Sequence, residues 1–174
     1  MLFQQPIPEV EAWLAERRLA GLDTRDEVWQ AVYVVMNPAP GLRHGWIAGQ
    51  FIALLIGPAA TAGLRVADAA NLGRPDDYRI PDVVVYDMAA ADSTGIWLST
   101  ARVVVEILSP GEAHEEKLPF YAAQDVGEVV LVDPDQRTVR WLALTPDGTY
   151  APVNRSATLG LAVELEVAGR LAWD

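Results

Sequence analysis

Hydrophobic positions recur along this chain in two ways. Short continuous apolar runs bounded by turn residues mark buried strands, and apolar positions three and four apart mark helices. Residues 8–20 read as a helix: Pro8 suits a first-turn position, and Val10, Trp13 and Leu14 share a face. Residues 27–36 are rich in Val, Trp and Tyr, which suits one strand or a tight hairpin. Asn37-Pro38-Ala39-Pro40-Gly41 is a loop. A second helix is predicted over about 44–55, where Ile47, Phe51, Leu54 and Leu55 recur at helical spacing, and Gly57-Pro58 is expected to disturb it. Residues 64–67 are a short strand candidate. Residues 71–78, with Gly73, Pro75 and two aspartates, read as a loop.

The strongest strand signals come next. Asp82-Val83-Val84-Val85-Tyr86 and Arg102-Val103-Val104-Val105-Glu106-Ile107-Leu108 are near-continuous apolar runs, so both faces are expected to be covered. Ser109-Pro110-Gly111 ends the second run. A helix follows over roughly 115–124, with Pro119 in its first turn and Glu115 and Glu116 favoured there by the helix dipole. Residues 129–132 form another buried strand, closed by Asp133-Pro134-Asp135. Residues 138–144 form a strand that Pro146-Asp147-Gly148 turns into 150–153, and a last strand is expected near 162–167. The unit from Val103 to Val132 is a candidate right-handed crossover between parallel strands. Too few helices separate the strands for a doubly wound sheet, so the pattern predicts an α/β fold of the mixed α+β kind, a mixed sheet flanked by helices. The 174 residues fit a single domain.

Composition narrows the function. Half of the chain is apolar (51%), so a sizeable core is available. The absence of Cys excludes disulfide and thiolate chemistry and fits a reducing cytoplasm. Met1-Leu2-Phe3-Gln4-Gln5-Pro6 lacks the basic and apolar regions of a signal peptide. The longest apolar stretch, 46–62, is interrupted by Gln50 and Pro58, so it reads as a buried helix and not a membrane span, which needs roughly 20 apolar residues. The net charge of −11 argues against a protein that coats nucleic acid, since phosphate contacts dominate non-specific affinity. It leaves room for an enzyme that grips DNA locally and fills an acidic centre with a cation. Twelve of the 13 basic residues are Arg, and the single Lys is Lys117. A compact ammonium differs from a planar guanidinium, so that one position invites a specific role.

Asp82 opens one buried strand after Pro81, and Glu106 sits near the end of another. A carboxylate inside Val-Val-Val-Glu-Ile-Leu is costly to bury without a partner. Two carboxylates converging at strand ends can share Mg²⁺ or Mn²⁺, which takes oxygen ligands and completes its shell with water and phosphate. Taken singly, Asp82 is equally a turn residue and Glu106 equally half of an ion pair with an Arg. Lys117, at the start of the next helix, returns towards the strand end, where its amine would orient the attacking water and offset phosphate charge. The alternative is a solvated surface lysine. Position 108, two residues after Glu106 and on the same face, is Leu and supplies no amine. His44 is either a helix-cap histidine or catalytic, Glu27 on an early strand is either an exposed edge charge or part of the site, and His114 reads as surface. No Gly-rich phosphate loop, serine nucleophile motif or zinc-binding His pair is present.

Several of these residues also carry a family resemblance. Val104-Val105-Glu106-Ile107-Leu108-Ser109-Pro110-Gly111, Glu116-Lys117-Leu118-Pro119-Phe120-Tyr121-Ala122-Ala123 and Leu131-Val132-Asp133-Pro134 together resemble the Uma-two family of restriction endonucleases. Glu27-Val28-Trp29, Met36-Asn37-Pro38-Ala39-Pro40, Arg43-His44-Gly45, Asn71-Leu72-Gly73-Arg74-Pro75 and Pro81-Asp82 extend the match over roughly residues 25–145. Gln30-Ala31 departs from an acidic residue and Gly in many relatives, and Asp125 from a usual Gly. The resemblance implies a restriction-endonuclease-like core of the PD-(D/E)xK kind, with the lysine moved from strand to helix. It carries over Asp82, Glu106 and Lys117, and also Glu27 and His44, as catalytic residues, with Asp82 and Glu106 on the metal. The expectation is therefore a Mg²⁺- or Mn²⁺-dependent endonuclease acting on DNA, working as a homodimer because one site per chain cuts one strand. A non-catalytic interaction module of the same fold is the competing reading.

Overall fold

The computed structural model describes residues 8–36, 41–109 and 114–173. The loop expected at 37–40, the turn at 110–111 and the side chain of His114 lie outside these. Helix α1 (Pro8–Leu19) buries none of its residues and is tied down chiefly by Arg17, whose guanidinium meets the Asp26 carboxylate at 2.8 Å. The residues expected as a strand or hairpin form a hairpin, β1 (Glu27–Trp29) and β2 (Val32–Val34). Its two turn residues, Gln30 and Ala31, have φ of 51° and 64°. Positive φ at both central positions is what a two-residue hairpin turn with the right twist demands.

Helix α2 (Leu42–Thr61) is longer than expected and runs through Pro58. Its buried stripe, Ile47, Phe51, Leu55 and Ala59, continues past the proline. Burial of Ala59 against the sheet outweighs one missing helix hydrogen bond near the helix end. The segment expected as loop is a second hairpin, β4 (Asn71–Arg74) and β5 (Asp77–Arg79), following β3 (Arg65–Asp68). Gly73 is required there: with φ of 117°, an added Cβ would stand 2.4 Å from the Asp77 carbonyl oxygen and 2.9 Å from the Phe120 ring. The strands β6 (Val83–Tyr86), β8 (Val103–Ile107), β9 (Glu128–Asp133), β10 (Thr138–Leu144) and β11 (Tyr150–Pro152) fall where the apolar runs place them, and β7 (Trp97–Leu98) is short. The last predicted strand is absent. Val163–Val167 is instead a π-helical turn, with Val163 and Val167 buried on one side and the Ala162 N–H donating to Glu166 Oε2 at 2.7 Å. A strand would set Leu165 on the same face as Val163 and Val167, whereas the turn buries those two and leaves Leu165 exposed.

The strands form two mixed sheets, one more than the sequence suggested: β2-β1-β5-β4-β7 and β11-β10-β9-β8-β6-β3. In the larger sheet β8 and β9 are parallel and α3 (Leu118–Ala123) connects them, and the other pairs are antiparallel. Odd positions of β6 and β8 face α2, with Val83, Val85, Val103, Val105 and Ile107 in one core cluster. Even positions face the other way, where Val84 and Val104 join Phe120 and Tyr121 of α3 and Leu72 and Leu98 of the smaller sheet. Glu106 is an even position, so the period of the strand turns it towards α3. The Arg79 guanidinium lies over the Trp29 and Phe120 rings at 4.5 and 4.1 Å, fastening the smaller sheet to α3. That contact brings β1, and with it Glu27, to the end of the large sheet.

Candidate active site

The C-terminal end of β8 carries Glu106, 2% exposed. Lys117 closes a 3₁₀ turn (His114–Lys117) at the start of α3 and is 4% exposed. Its Nζ lies 3.2 and 3.4 Å from the two Glu106 oxygens and 3.0 Å from Glu27 Oε1. Tyr121, one helical turn after Lys117, donates its hydroxyl to Glu106 Oε1. Glu27 is fully buried, which removes the reading of an exposed edge charge. Its Oε1 also accepts the Ile80 N–H at 2.8 Å and its Oε2 accepts Trp29 Nε1 at 2.6 Å. Lys117 is thus no solvated surface lysine.

Asp82 immediately precedes β6. Val83 pairs with Val105, so continuing the antiparallel register by one residue sets Asp82 opposite Glu106. Asp82 Oδ2 accepts the Ile107 N–H at 2.8 Å. Asp82 Oδ1 is 2.9 Å from His44 Nε2 and 3.2 Å from Arg25 Nη1. His44 sits in the first turn of α2, yet no side chain caps that helix end at Gly41, and the imidazole turns to Asp82 instead. The most exposed members of the cluster are Arg25 and His44, whose side chains keep 27% and 16% of their surface, so they form its rim.

The electrostatics follow from this packing. Burial pushes the Asp82 carboxyl up, but the hydrogen bond and charge of His44, the Ile107 N–H and the Lys117 charge together hold it below its ordinary value. Burial opposes the charge on Lys117, and the charges of Glu106 and Glu27 outweigh it, so its pKa is raised and the ammonium persists at neutral pH. Burial and the neighbouring Glu106 charge push the Tyr121 phenol well above its usual value, so it remains a donor.

The structure therefore brings Asp82, Glu106, Lys117, Glu27 and His44 into one cluster. Sequence reasoning missed Tyr121 and Arg25. Tyr121 stands four residues after Lys117, the spacing that puts two side chains on one helix face, and that signal was available. Arg25 gave none, because only the approach of the smaller sheet brings it to Asp82.

The donor set is compatible with a divalent cation. Among the described residues no three His, Cys, Asp or Glu side chains form a ready-made cage. Mg²⁺ does not need one, since it is commonly held by one or two carboxylates plus water and phosphate. An anionic strand end that holds an ammonium has the charge and the hard oxygen donors to hold such an ion.

The chain matches the Uma2 family model, described as "Putative restriction endonuclease", over residues 11–171. This chain belongs to the Uma2 family. Among solved structures, Uma2 residues of this chain superpose on the crystal structure of "a putative nuclease belonging to DUF820" from Anabaena variabilis, with a TM-score of 0.64 and 16% identity, covering 80% of this chain and 87% of that one. That likeness shows a shared mixed α/β, restriction-endonuclease-like fold. No curated protein matched the chain.

Proposed function

We propose that this Uma2 protein is a divalent-cation-dependent endonuclease of the PD-(D/E)xK kind that hydrolyses phosphodiester bonds of DNA. The observation that carries the reading is Lys117. The only lysine of the chain is buried at the strand end, 3.2 Å from Glu106, beside the aspartate that opens the adjacent strand. Membership in a family described as restriction endonucleases supports the same chemistry.

Asp82 and Glu106 would hold Mg²⁺ or Mn²⁺, which supplies Lewis acidity at the phosphate and at the attacking water. The protein's own residues do the rest. Lys117, kept protonated by its two glutamates, donates hydrogen bonds and charge to a water or a phosphoryl oxygen, and a raised pKa suits positioning better than proton abstraction. Glu27 holds the same ammonium at 3.0 Å. His44 and the Ile107 N–H hold the Asp82 carboxylate in one orientation, and Arg25 at the rim offers a guanidinium to the phosphate backbone. Cutting both strands of a duplex with one site per chain calls for two chains, so a homodimer is part of the proposal. Among the described residues no helix is long and apolar enough to cross a membrane.

One observation favours the non-catalytic alternative. Both oxygens of Asp82, Glu106 and Glu27 already have protein donors, so the cluster is satisfied as a structural network. Supercoiled plasmid incubated with Mg²⁺ or Mn²⁺, with and without chelator, decides between the two. Nicking that stops with chelator and in Glu106→Gln is expected. No cleavage of single-stranded, duplex or supercoiled DNA with either ion would remove the enzymatic reading.

A further inference from the structure

Two buried carboxylates outside the cluster show how the fold satisfies such a group, and Asp26 takes the Arg17 guanidinium and the Tyr33 hydroxyl, each at 2.8 Å. Glu128, 3% exposed, accepts from Trp141 Nε1 at 2.7 Å, Ser156 Oγ at 2.6 Å and the Thr158 N–H at 2.9 Å, all neutral donors. Glu106 differs from both in its place, opposite Asp82 at the end of the β6–β8 pair. One of its oxygens takes both an ammonium and the Tyr121 hydroxyl, and two further carboxylates stand close by. Tyr121 is completely buried, and its ring belongs to the core cluster under α3. A phenylalanine would fill that volume equally well, so packing does not account for the hydroxyl.

The backbone of Tyr121 is also fixed. The Val126 N–H bonds back to the Tyr121 carbonyl at 3.0 Å and the Asp125 N–H to Ala122 at 3.0 Å, closing the helix end so that the ring has little freedom. Lys117 and Tyr121, four residues apart, therefore present two donors to Glu106 from one helical face.

We propose that Tyr121 is a positioning residue for the divalent cation, its hydroxyl fixing the Glu106 carboxylate in the orientation that binds the ion. This rests on the reading of Asp82 and Glu106 as cation ligands. Groups that hydrogen-bond a ligating carboxylate typically contribute 10–100-fold in metal affinity or activity. Tyr121→Phe deletes the hydroxyl and keeps the ring. Tyr150→Phe is the control, since Tyr150 donates to the Val126 carbonyl at 2.7 Å and so loses a comparable hydroxyl outside the cluster.

The experiment is Mn²⁺ binding to the full chain by titration calorimetry and by the loss of free-Mn²⁺ paramagnetic resonance signal, with thermal unfolding run on the same samples. The expected result is a dissociation constant raised at least tenfold in Tyr121→Phe and unchanged in Tyr150→Phe, both variants remaining folded. Equal Mn²⁺ affinity in wild type and Tyr121→Phe would overturn the role of Tyr121 and leave the cation site standing. Tighter binding in Tyr121→Phe would overturn it too, because the hydroxyl would then be competing with the ion. Wild-type protein that binds no Mn²⁺ would overturn the cation reading itself, and this inference with it.

Discussion

Replacing Lys117 by Met tests how the buried charges balance. Methionine has nearly the same length and lacks the ammonium, so packing is little changed. The ammonium lies 3.0 Å from Glu27 and 3.2 Å from Glu106. At an effective dielectric constant near 20, each unit pair at that distance interacts by roughly 5 kcal/mol. Desolvation cancels much of this, and removing one partner of a buried ion pair costs about 3–5 kcal/mol because a charge is left uncompensated. Here two glutamates are left facing each other, so the loss should reach that range. For a chain of this size it corresponds to a melting temperature lower by roughly 6–20 °C. Chemical denaturation at pH 7 measures the free energy, and a thermal scan with added Mn²⁺ measures how much an external cation restores. The scan should recover more stability in Lys117→Met than in wild type, since binding to the folded state stabilises by mass action. A loss below about 1 kcal/mol, the range of a surface ion pair, would refute the claim that this ammonium compensates buried charge.

Four further outcomes are expected. Glu106→Gln leaves Lys117 paired with Glu27, a neutral pair, so plasmid cleavage should vanish while unfolding free energy stays within about 1 kcal/mol of wild type; Lys117→Arg should likewise lose most cleavage, because a planar guanidinium does not reproduce a compact ammonium. The folded-state pKa of Asp82 lies below its ordinary value of 3.8, so its stabilisation is present above that pH and is lost as pH falls through the lower folded value; denaturation between pH 5 and pH 2 should show a shallower acid loss in Asp82→Asn. Asp125 follows the C-cap of α3 with φ of 53°, and Asp125→Gly should raise stability by up to about 1 kcal/mol in the same denaturation assay; an unchanged or lower stability would show that the left-handed backbone there carries no strain.

The sequence by itself determined the strand and helix skeleton near the site. The Val runs of β6 and β8 are buried on both faces whatever packs there, and their period of two already puts Glu106 on the face opposite Val105. Pro119 and the acids before it mark the start of the segment that carries Lys117. Elements whose stability is not local were decided by the tertiary structure. The β4–β5 hairpin contains Gly, Pro and Asp, which read as loop, and it becomes sheet because β1 and β7 supply its partners and Gly73 lets Phe120 approach. Helix α2 passes Pro58 because Ala59 is buried beyond it, and 163–167 turns, burying Val163 and Val167 and leaving Leu165 exposed, where a strand would have put all three on one face. The same holds for the chemistry. Asp82, Glu106 and Lys117 stand out by residue type against their local pattern. Glu27 looks like an edge charge until Arg79, stacked between Trp29 and Phe120, draws its strand over α3 and buries it against Lys117. A residue's propensity is written in its neighbours along the chain, but its burial, and therefore its charge state and partners, depends on segments that reach it only on folding.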